Sequence, residues 1–372
     1  MANKRNYKKN VKTAKKAVKT AKKYPVLTFM LVVILLAGAV CYYFYEKQKQ
    51  TLPTGDLSVH FLTLGNEYAG DCIYIRAGES DIIVDGGSKP SSVTAIKSYL
   101  DSCAFDGTFE YAIITHAHED HIAAFAGNAD YDSLFELYDF KTIIDFPKTD
   151  SNSKTYQRYV EHRADEIADG AKHYTALECY NNENGAERTI TVSTNVYIDI
   201  LYNYYYENKA DTENEYSVCF TLRTGNKKFL FTGDLEKRGE EKLVELNDIG
   251  EIDVYKAGHH GSKTSTSKAL LEEIKPKMCV VTCVAGSPEY TTVNANTFPT
   301  QQFVDYIAGY TDKIYVTSLG SIDDEEFFTD MNGNIVITLT NGDLKVNCSN
   351  NQTILKDTEW FKNNRELPLN WA

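Results

Sequence analysis

The densest group of metal-ligand residue types lies in one short segment of the sequence. His116, His118, Asp120 and His121 fall within six residues, although the 372-residue chain has only eight histidines. Imidazole and carboxylate side chains are the usual ligands of zinc and related divalent metals. Residues two positions apart point the same way in an extended segment. We therefore predict that His116 and His118 bind one metal ion. Asp120 and His121, in a turn that enters a helix, are predicted to bind a second.

Three more strand-like segments lead into residues of the same types. Asp85 directly follows one apolar run, Asp234 comes after a second, and the pair His259–His260 comes after a third. Each signal alone is weak, because Gly-Asp is also a common turn and a His-His pair also occurs in ordinary loops. Four strand ends that deliver Asp or His in this order are much more specific together. They predict one site assembled from distant parts of the chain.

The elements that must position these residues are short strands mixed with amphipathic helices. This mixture predicts an α/β or α+β layered domain, without indicating which layers pack together. Helices are predicted at 91–100, 154–167, 238–246 and 267–274. Strands are predicted at 59–63, 72–76, 81–84, 111–114, 192–202, 217–224, 228–232, 279–283, 314–317, 334–340 and 343–346.

The N-terminal region differs from the rest of the chain in charge and hydropathy. The first 45 residues contain ten basic residues and no acidic one, whereas the remainder has 29 basic against 52 acidic residues, a net charge of −23. Residues 25–45 carry no charge and are long enough for one transmembrane helix. The basic tail at 1–24 then predicts a cytoplasmic N-terminus and a single-pass anchor that holds the body outside the cell membrane. The alternative is a cleaved signal peptide with its site at 37–39.

The remaining boundaries follow from composition. We predict a linker at 46–56, one large folded domain at 57–349 and a polar C-terminal tail at 350–372. The aromatic residues of that tail indicate either docking onto the domain or a separate recognition segment. The eight cysteines form no CxxC pair, so buried thiols are expected, with a disulfide outside the cell as the alternative.

Together these motifs resemble the metallo-β-lactamase superfamily, a group of metal-dependent hydrolases with an αββα sandwich fold. The segment from His116 to His121 matches the HxHxDH motif of the family at every ligand position. By the same resemblance, Asp85 orients the site, Asp234 bridges two metals, and His259–His260 forms the last histidine motif. The His-Gly ending of that motif implies that His260 is the metal ligand, which leaves His259 to contact a phosphate or to protonate the leaving group.

Within the superfamily, the sequence is most similar to the extracellular hydrolase domain of the competence protein ComEC. The most subgroup-specific stretch is 259–265, which reads HHGSKTS. Three other stretches carry the similarity, at 60–75, 232–236 and 330–335.

One ligand position of the general family is not matched. Many members have a histidine about twenty residues before the bridging acid, but residues 211–218 contain none. Glu213 or Asn214 falls nearest to the missing ligand, and Asn214 with Ser217 matches an Asn-x-x-Ser pattern of the ComEC-like subgroup. His162 and His173, farther upstream, are less favoured replacements. The first metal site is therefore expected to be weaker or to use water.

The resemblance implies a phosphodiesterase or nuclease. Two divalent ions, zinc or alternatively manganese, would generate a hydroxide that attacks phosphorus, with Asp120, Asp234 and His259 as the catalytic residues. Ser262 is a candidate for holding a phosphate. DNA is the expected substrate, although a body of net charge −23 repels a polyanion unless basic residues line the cleft. Such a strip is predicted from the lysines at 256, 263, 268, 275 and 277.

Two other functions stay open at this point. One is a phosphorylcholine esterase-like hydrolase that acts on cell-wall polymers, with some of the 26 Tyr and 17 Phe residues forming an aromatic cage. The other is a non-catalytic binding module tethered to the membrane. The nearly complete ligand set favours an enzyme over the binding module.

Overall fold

The computed structural model describes residues 23–26, 29–30, 33–34, 36, 38, 56–320, 328–340 and 342–372. Most residues of the predicted basic tail at 1–24, span at 25–45 and linker at 46–56 lie outside these described ranges. In the described part of the chain, no helix is both long and apolar enough to cross a bilayer.

Two eight-stranded sheets form the centre of the domain. The strands are β1 (Leu57–Phe61), β2 (Ile73–Ala77), β3 (Ser80–Val84), β4 (Thr108–Phe109), β5 (Tyr111–Ile113), β6 (Asp139–Phe140), β7 (Thr142–Asp145), β8 (Lys172–Thr175), β9 (Thr189–Ser193), β10 (Val196–Ile200), β11 (Phe220–Thr224), β12 (Lys227–Phe231), β13 (Val254–Lys256), β14 (Met278–Ala285), β15 (Ile314–Gly320), β16 (Phe328–Asp330), β17 (Ile335–Thr340) and β18 (Asp343–Cys348). The strand order is β18-β17-β1-β2-β3-β5-β7-β8 in the first sheet and β16-β15-β14-β13-β12-β11-β10-β9 in the second, and β4 pairs with β6 as a small separate ribbon.

The helices connect the parallel strands of each sheet. β3, β5, β7 and β8 run parallel in the first sheet, and β12 to β15 run parallel in the second. Parallel neighbours need crossover connections, which here are mostly helical. The α-helices are α1 (Ser92–Ser102), α2 (Glu119–Ala126), α3 (Leu134–Leu137), α4 (Lys154–Ala168), α5 (Ala176–Asn181), α6 (Lys237–Leu246), α7 (Lys268–Ile274), α8 (Gln301–Ile307) and α9 (Glu359–Asn364).

Side-chain alternation along the strands separates the layers. In β12, Phe229 and Phe231 join the core between the two sheets, whereas Leu230 joins a second core. That second core also contains Leu243 of α6 and Phe303 of α8, so helices cover the outer face of the second sheet. Successive residues of a strand point to opposite faces, and strands with apolar residues on both faces must be covered on both sides. The mixed α/β sandwich predicted from the motifs is therefore observed.

One predicted strand is divided in the structure, and the C-terminal tail follows the docking alternative. The segment 192–202 was predicted as one strand, but it forms the end of β9, a turn and β10, because Asn195 has a φ of +61°. This left-handed conformation reverses the chain. The tail after residue 349 packs against the second core through Leu355, Phe361 and Trp371. The seven described cysteines are all free thiols.

Candidate metal centre

The candidate ligands converge because four strands of the two sheets end at one edge of the sandwich. Asp85 follows β3, and the histidine cluster follows β5, its parallel neighbour. Asp234 follows β12, and His260 lies in a short 3₁₀ turn after β13, which is parallel to β12. His118 is the N-cap residue of α2, so Asp120 falls in the first helical turn, next to His121. Ligands collect at the carboxyl ends of parallel strands, where the chain turns into loops and helix N-termini.

One group of four side chains has the composition and spacing of a metal site. The ligand atoms of Asp120, His121, Asp234 and His260 all lie within 4.8 Å of one another. Asp234 Oδ2 is 3.3 Å from His121 Nε2 and 3.4 Å from His260 Nε2, and His260 Nε2 is 3.5 Å from Asp120 Oδ2.

Four of the ligand atoms in this group have no hydrogen-bond partner. Both carboxylate oxygens of Asp234 and the Nε2 atoms of His121 and His260 are buried and make no hydrogen bond. Buried polar atoms are normally bonded, because leaving one unpaired costs about 1–3 kcal/mol. A divalent cation at this position would satisfy all of them, so the residues fit a metal ion.

A second group adjoins the first. The ligand atoms of His116, His118 and Asp120 also lie within 4.8 Å of one another, and His116 Nε2 is 3.1 Å from His118 Nδ1. Asp120 belongs to both groups, so the two could hold neighbouring ions. This second group provides two imidazoles and one shared carboxylate, fewer ligands than the first.

Neither predicted replacement for the missing histidine is a clear ligand. Glu213 accepts a hydrogen bond from the Asp150 amide through Oε2, at 2.9 Å, and belongs to none of the metal-site groups among the described residues. Asn214 donates to Glu236 at 3.2 Å, and its buried Oδ1 has no hydrogen-bond partner. Ser217 accepts from the Asp234 amide at 3.1 Å, so this segment fixes the backbone of Asp234. Glu213 Oε1 and Asn214 Oδ1 are both buried without a hydrogen-bond partner, so either oxygen is free for a ligand role.

His162 and His173 do not join the metal-site groups. His173 bonds Asp145 through Nε2 at 2.9 Å, at the end of the strand next to β5. His162 lies on α4 and lines a surface cavity beside that helix.

Asp85 fixes the orientation of the His121 ring through a hydrogen bond to Nδ1. Its carboxylate accepts three hydrogen bonds of 2.8 Å, from the amide and the hydroxyl of Thr115 and from His121 Nδ1. This arrangement places the proton of His121 on Nδ1 and directs the Nε2 lone pair toward Asp234. A carboxylate behind a ligating imidazole fixes its tautomer and raises its basicity.

Sequence reasoning missed a buried ion pair beside the site. Asp71 pairs with the fully buried Lys256, accepts the Thr282 hydroxyl, and has Oδ1 at 3.4 Å from His260 Nδ1. His260 Nδ1 in turn donates to the Thr282 carbonyl at 2.8 Å. Asp71 lies in the stretch 60–75, which the sequence analysis used only for the similarity to ComEC. Lys256 was assigned to a basic surface strip, but its side chain is 1% exposed and cannot bind substrate.

Two further lysines of the predicted strip are paired with acids. Lys275 pairs with Glu251 and Lys277 with Asp253, each at the protein surface. With Lys256 buried, the prediction of one strip formed by all five lysines is therefore wrong, whereas Lys263 and Lys268 are exposed.

The His259–His260 pair is held by an uncommon backbone. Both residues have positive φ values, +47° and +54°, so the backbone of this segment is left-handed. His260 is fully buried among the acids, whereas His259 is partly exposed, with Nε2 at 3.8 Å from Asp234 Oδ2 and Nδ1 bonded to Thr264 at 2.9 Å. Ser262 bonds the hydroxyl and the amide of Thr264, so it supports this turn.

The charges of the centre perturb its pKa values. Burial alone lowers the pKa of an imidazole, but Asp234 and Asp85 outweigh burial and hold the pKa of His121 well above its ordinary value. Asp234 and Asp71 do the same for His260. Burial raises the pKa of Asp234, yet His260 and His121 hold it well below the usual range. For His116, burial and the neighbouring imidazoles outweigh Asp234 and Asp120 and hold the pKa well below its ordinary value.

A loop between β14 and α8 approaches the centre from the solvent side. Tyr290 donates its hydroxyl to Asp120 Oδ2 at 3.2 Å, and its ring lies 5.4 Å from that of Phe298. Phe298 in turn lies 6.0 Å from the rings of both His259 and His260. Glu289 anchors the loop by accepting from the Ala69 amide at 2.9 Å. No pattern in the sequence marked Tyr290, which is 170 positions from Asp120.

Comparisons with known proteins agree with this geometry. Residues 210–280, which include Asp234 and His260, match the model of the metallo-beta-lactamase superfamily. The chain is similar to ComE operon protein 3 of Bacillus subtilis (strain 168), with 36% identity over 70 residues, which are 19% of this chain and 9% of that protein. It is also similar to Recombination protein 2 of Haemophilus influenzae, with 36% identity over 76 residues, 20% of this chain and 9% of that protein.

Solved structures give more distant similarities. The metallo-beta-lactamase fold protein YhfI from Bacillus subtilis is 11% identical, with 74% of this chain and 99% of that chain covered and a TM-score of 0.42. A diphosphatase from the PhnP family is 13% identical, with 61% and 86% covered and a TM-score of 0.33. From the family match over residues 210–280 and the motifs that this segment includes, the chain is similar to the metallo-β-lactamase superfamily.

Proposed function

We propose that this protein is a phosphodiesterase that uses two divalent metal ions. The observation that carries the proposal is the group of Asp120, His121, Asp234 and His260, in which the buried ligand atoms of His121, Asp234 and His260 make no hydrogen bond. His116 and His118, with Asp120 and Asp234, would hold the second ion. Bound at these positions, the two ions would supply Lewis acidity and lower the pKa of water to near neutral. Zinc suits the imidazole-rich set best, with manganese as the alternative.

The protein residues have separate tasks in this proposal. Asp85 holds His121 in the tautomer that presents Nε2, and the Thr282 carbonyl does the same for His260. His259 is partly exposed beside Asp234, so it is placed to contact a phosphate oxygen or to give a proton to the leaving group. Tyr290 lies on the other side, where its hydroxyl reaches Asp120 and can orient a substrate oxygen.

The substrate and the location of the enzyme are the finer parts of the proposal. Similarity to ComE operon protein 3 and to Recombination protein 2 supports a DNA-related phosphodiester, although the match covers 9% of each relative. The apolar segment at 25–45 and the basic residues before it support a domain held outside the cell membrane. The phosphorylcholine esterase alternative has one supporting observation, the aromatic pair Tyr290 and Phe298 at the mouth of the site.

The test combines metal analysis with activity on three substrates. We expect the purified protein to bind about two zinc ions per chain and to cleave bis-p-nitrophenyl phosphate, with Asp234→Asn losing most of both properties. Fewer than one ion per chain and no cleavage with added zinc or manganese would refute the enzyme. Faster cleavage of p-nitrophenyl phosphorylcholine than of single-stranded DNA would select the alternative substrate.

A further inference from the structure

A cavity of about 610 Å³ lies beside the metal centre, and none of the side chains in the two metal-site groups lines it. Its floor is Asp145, which ends β7, the parallel neighbour of β5. The Ile114 amide donates to the Ile144 carbonyl at 2.9 Å, so the strand that delivers His116 and the strand that delivers Asp145 end side by side, roughly 5 Å apart. Tyr216 also lines the cavity and directly precedes Ser217, which binds the Asp234 amide. The cavity and the centre are therefore connected by two chain segments, at the end of β7 and at Tyr216–Ser217.

A fixed cationic group faces this cavity. Asp145 is fully buried and accepts hydrogen bonds from Tyr159, Arg163 and His173. The Asp145 carboxylate and the Tyr159 ring, 5.3 Å from the guanidinium carbon, hold Arg163 in one orientation. Arg163 keeps unused donors, because its buried Nε makes no hydrogen bond. A guanidinium held in place in this way is prepared to bind an oxyanion without further ordering.

The rim adds two more positive charges. Lys148 and Lys209 are exposed and line the cavity, and the two acids that line it are Asp145 and Asp150. Asp145 is saturated by its three donors, and Asp150 accepts the Tyr216 hydroxyl at 3.3 Å. A second described cavity, of about 760 Å³ beside α4, gives the contrast, because five acids and only two lysines line it. In a body of net charge −23, a basic cavity next to the centre is unexpected without an anionic ligand.

We propose that this cavity is a subsite for a second phosphate of the substrate, one unit along the chain from the phosphodiester at the metal centre. The inference rests on the proposed function and narrows its substrate class to phosphodiester polymers, because an isolated diester has no group to place there. The volume is within the range that accommodates one nucleotide-sized unit. It also explains how an acidic domain binds a polyanion: Lys148 and Lys209 supply positive charge, and Arg163, which is paired with Asp145, supplies hydrogen-bond donors.

The test compares substrates that differ by one phosphate. The p-nitrophenyl ester of thymidine 5′-phosphate, with and without a 3′-phosphate, is given to the zinc-loaded protein and to Lys148→Ala/Lys209→Ala. We expect the added phosphate to lower KM about tenfold or more in the wild type, and the double variant to lose this advantage. Cleavage of bis-p-nitrophenyl phosphate should stay within about twofold. The matched control Lys141→Ala/Lys172→Ala removes two exposed lysines from the second cavity and should keep the wild-type ratio.

Binding gives a readout that does not need catalysis. Thymidine 3′,5′-bisphosphate is titrated calorimetrically into the wild type and both double variants, each with zinc and after chelation. Binding about tenfold weaker in Lys148→Ala/Lys209→Ala than in the control supports the subsite even if no ester is cleaved, in which case only the proposed function fails. Equal binding by the two double variants, or an unchanged substrate ratio, overturns the subsite.

Discussion

The orienting role of Asp85 leads to the sharpest prediction, for the variant Asp85→Asn. Its carboxylate accepts three hydrogen bonds of 2.8 Å, one of them from His121 Nδ1. In the variant, the amide oxygen can still accept from the Thr115 amide, but an NH₂ group replaces the oxygen that faces His121. Two donors then face each other, unless the His121 proton moves to Nε2. A proton on Nε2 occupies the atom that must bind metal.

The expected magnitude follows from this exchange. Loss of a hydrogen bond to a charged group costs about 1.5–3 kcal/mol, and loss of a carboxylate behind a ligating imidazole typically weakens metal binding about 10- to 100-fold. We expect a loss of that size for the tighter of two zinc sites, measured by competition with a chromogenic chelator. The variant should also cleave bis-p-nitrophenyl phosphate more slowly at limiting zinc and recover in part when zinc is raised.

A matched control lies in the same strand. Asp81 is also buried in β3, but it is bonded by Tyr74 and Arg76 and is not part of any group of metal-ligand side chains. Asp81→Asn should change thermal stability and leave zinc affinity within about twofold. Zinc affinity of Asp85→Asn equal to wild type would refute the orienting role, and an equal loss in both variants would reduce it to an effect on the fold.

Three further predictions follow from the charges and contacts of the site. Acids hold the pKa values of His121 and His260 well above the ordinary imidazole value, so zinc must displace protons from both residues. Calorimetry in two buffers near pH 7 should therefore detect the release of about two protons, and the affinity for zinc should rise with pH. Burial raises the pKa of Glu215 to about 8, so the folded state keeps a proton that the unfolded chain loses near pH 4.5. The free energy of unfolding therefore falls as pH rises between these values. In chemical denaturation, Glu215→Gln should remove roughly 2 kcal/mol of that fall, and the exposed control Glu161→Gln should remove none of it. Tyr290→Phe, which deletes only the hydroxyl that reaches Asp120, should lower kcat about tenfold with zinc content unchanged, whereas loss of zinc would make it a structural residue.

The local part of the site could be predicted from the sequence because strand ends deliver its ligands. His116 to His121 lie in six consecutive residues after β5, and an apolar run before an acid is readable at Asp85 and Asp234. The same reasoning failed wherever a contact depends on tertiary register. Asp71 meets Thr282 across 211 positions, and no local pattern distinguishes the buried Lys256 from an exposed lysine. The αββα layers were supplied by the resemblance, because strand periodicity alone does not indicate which sheet faces which.

The buried ion pair also bears on how many cations the centre can hold. Asp71, Asp85, Asp120 and Asp234 are four carboxylates around three buried imidazoles, a concentration of negative charge that is costly without compensation. Lys256 neutralises Asp71, and the Thr282 hydroxyl occupies its other oxygen, so Asp71 is not free to bind metal. Asp85 is committed to Thr115 and His121 in the same way. Asp120 and Asp234 are left as the carboxylates that can face a cation, and Asp120 belongs to both ligand groups. This division favours two ions that share Asp120 over a further site at Asp71, Asp85 and His121, whose ligand atoms also lie within 4.8 Å of one another. It gives Lys256 the role of keeping Asp71 out of the ligand set.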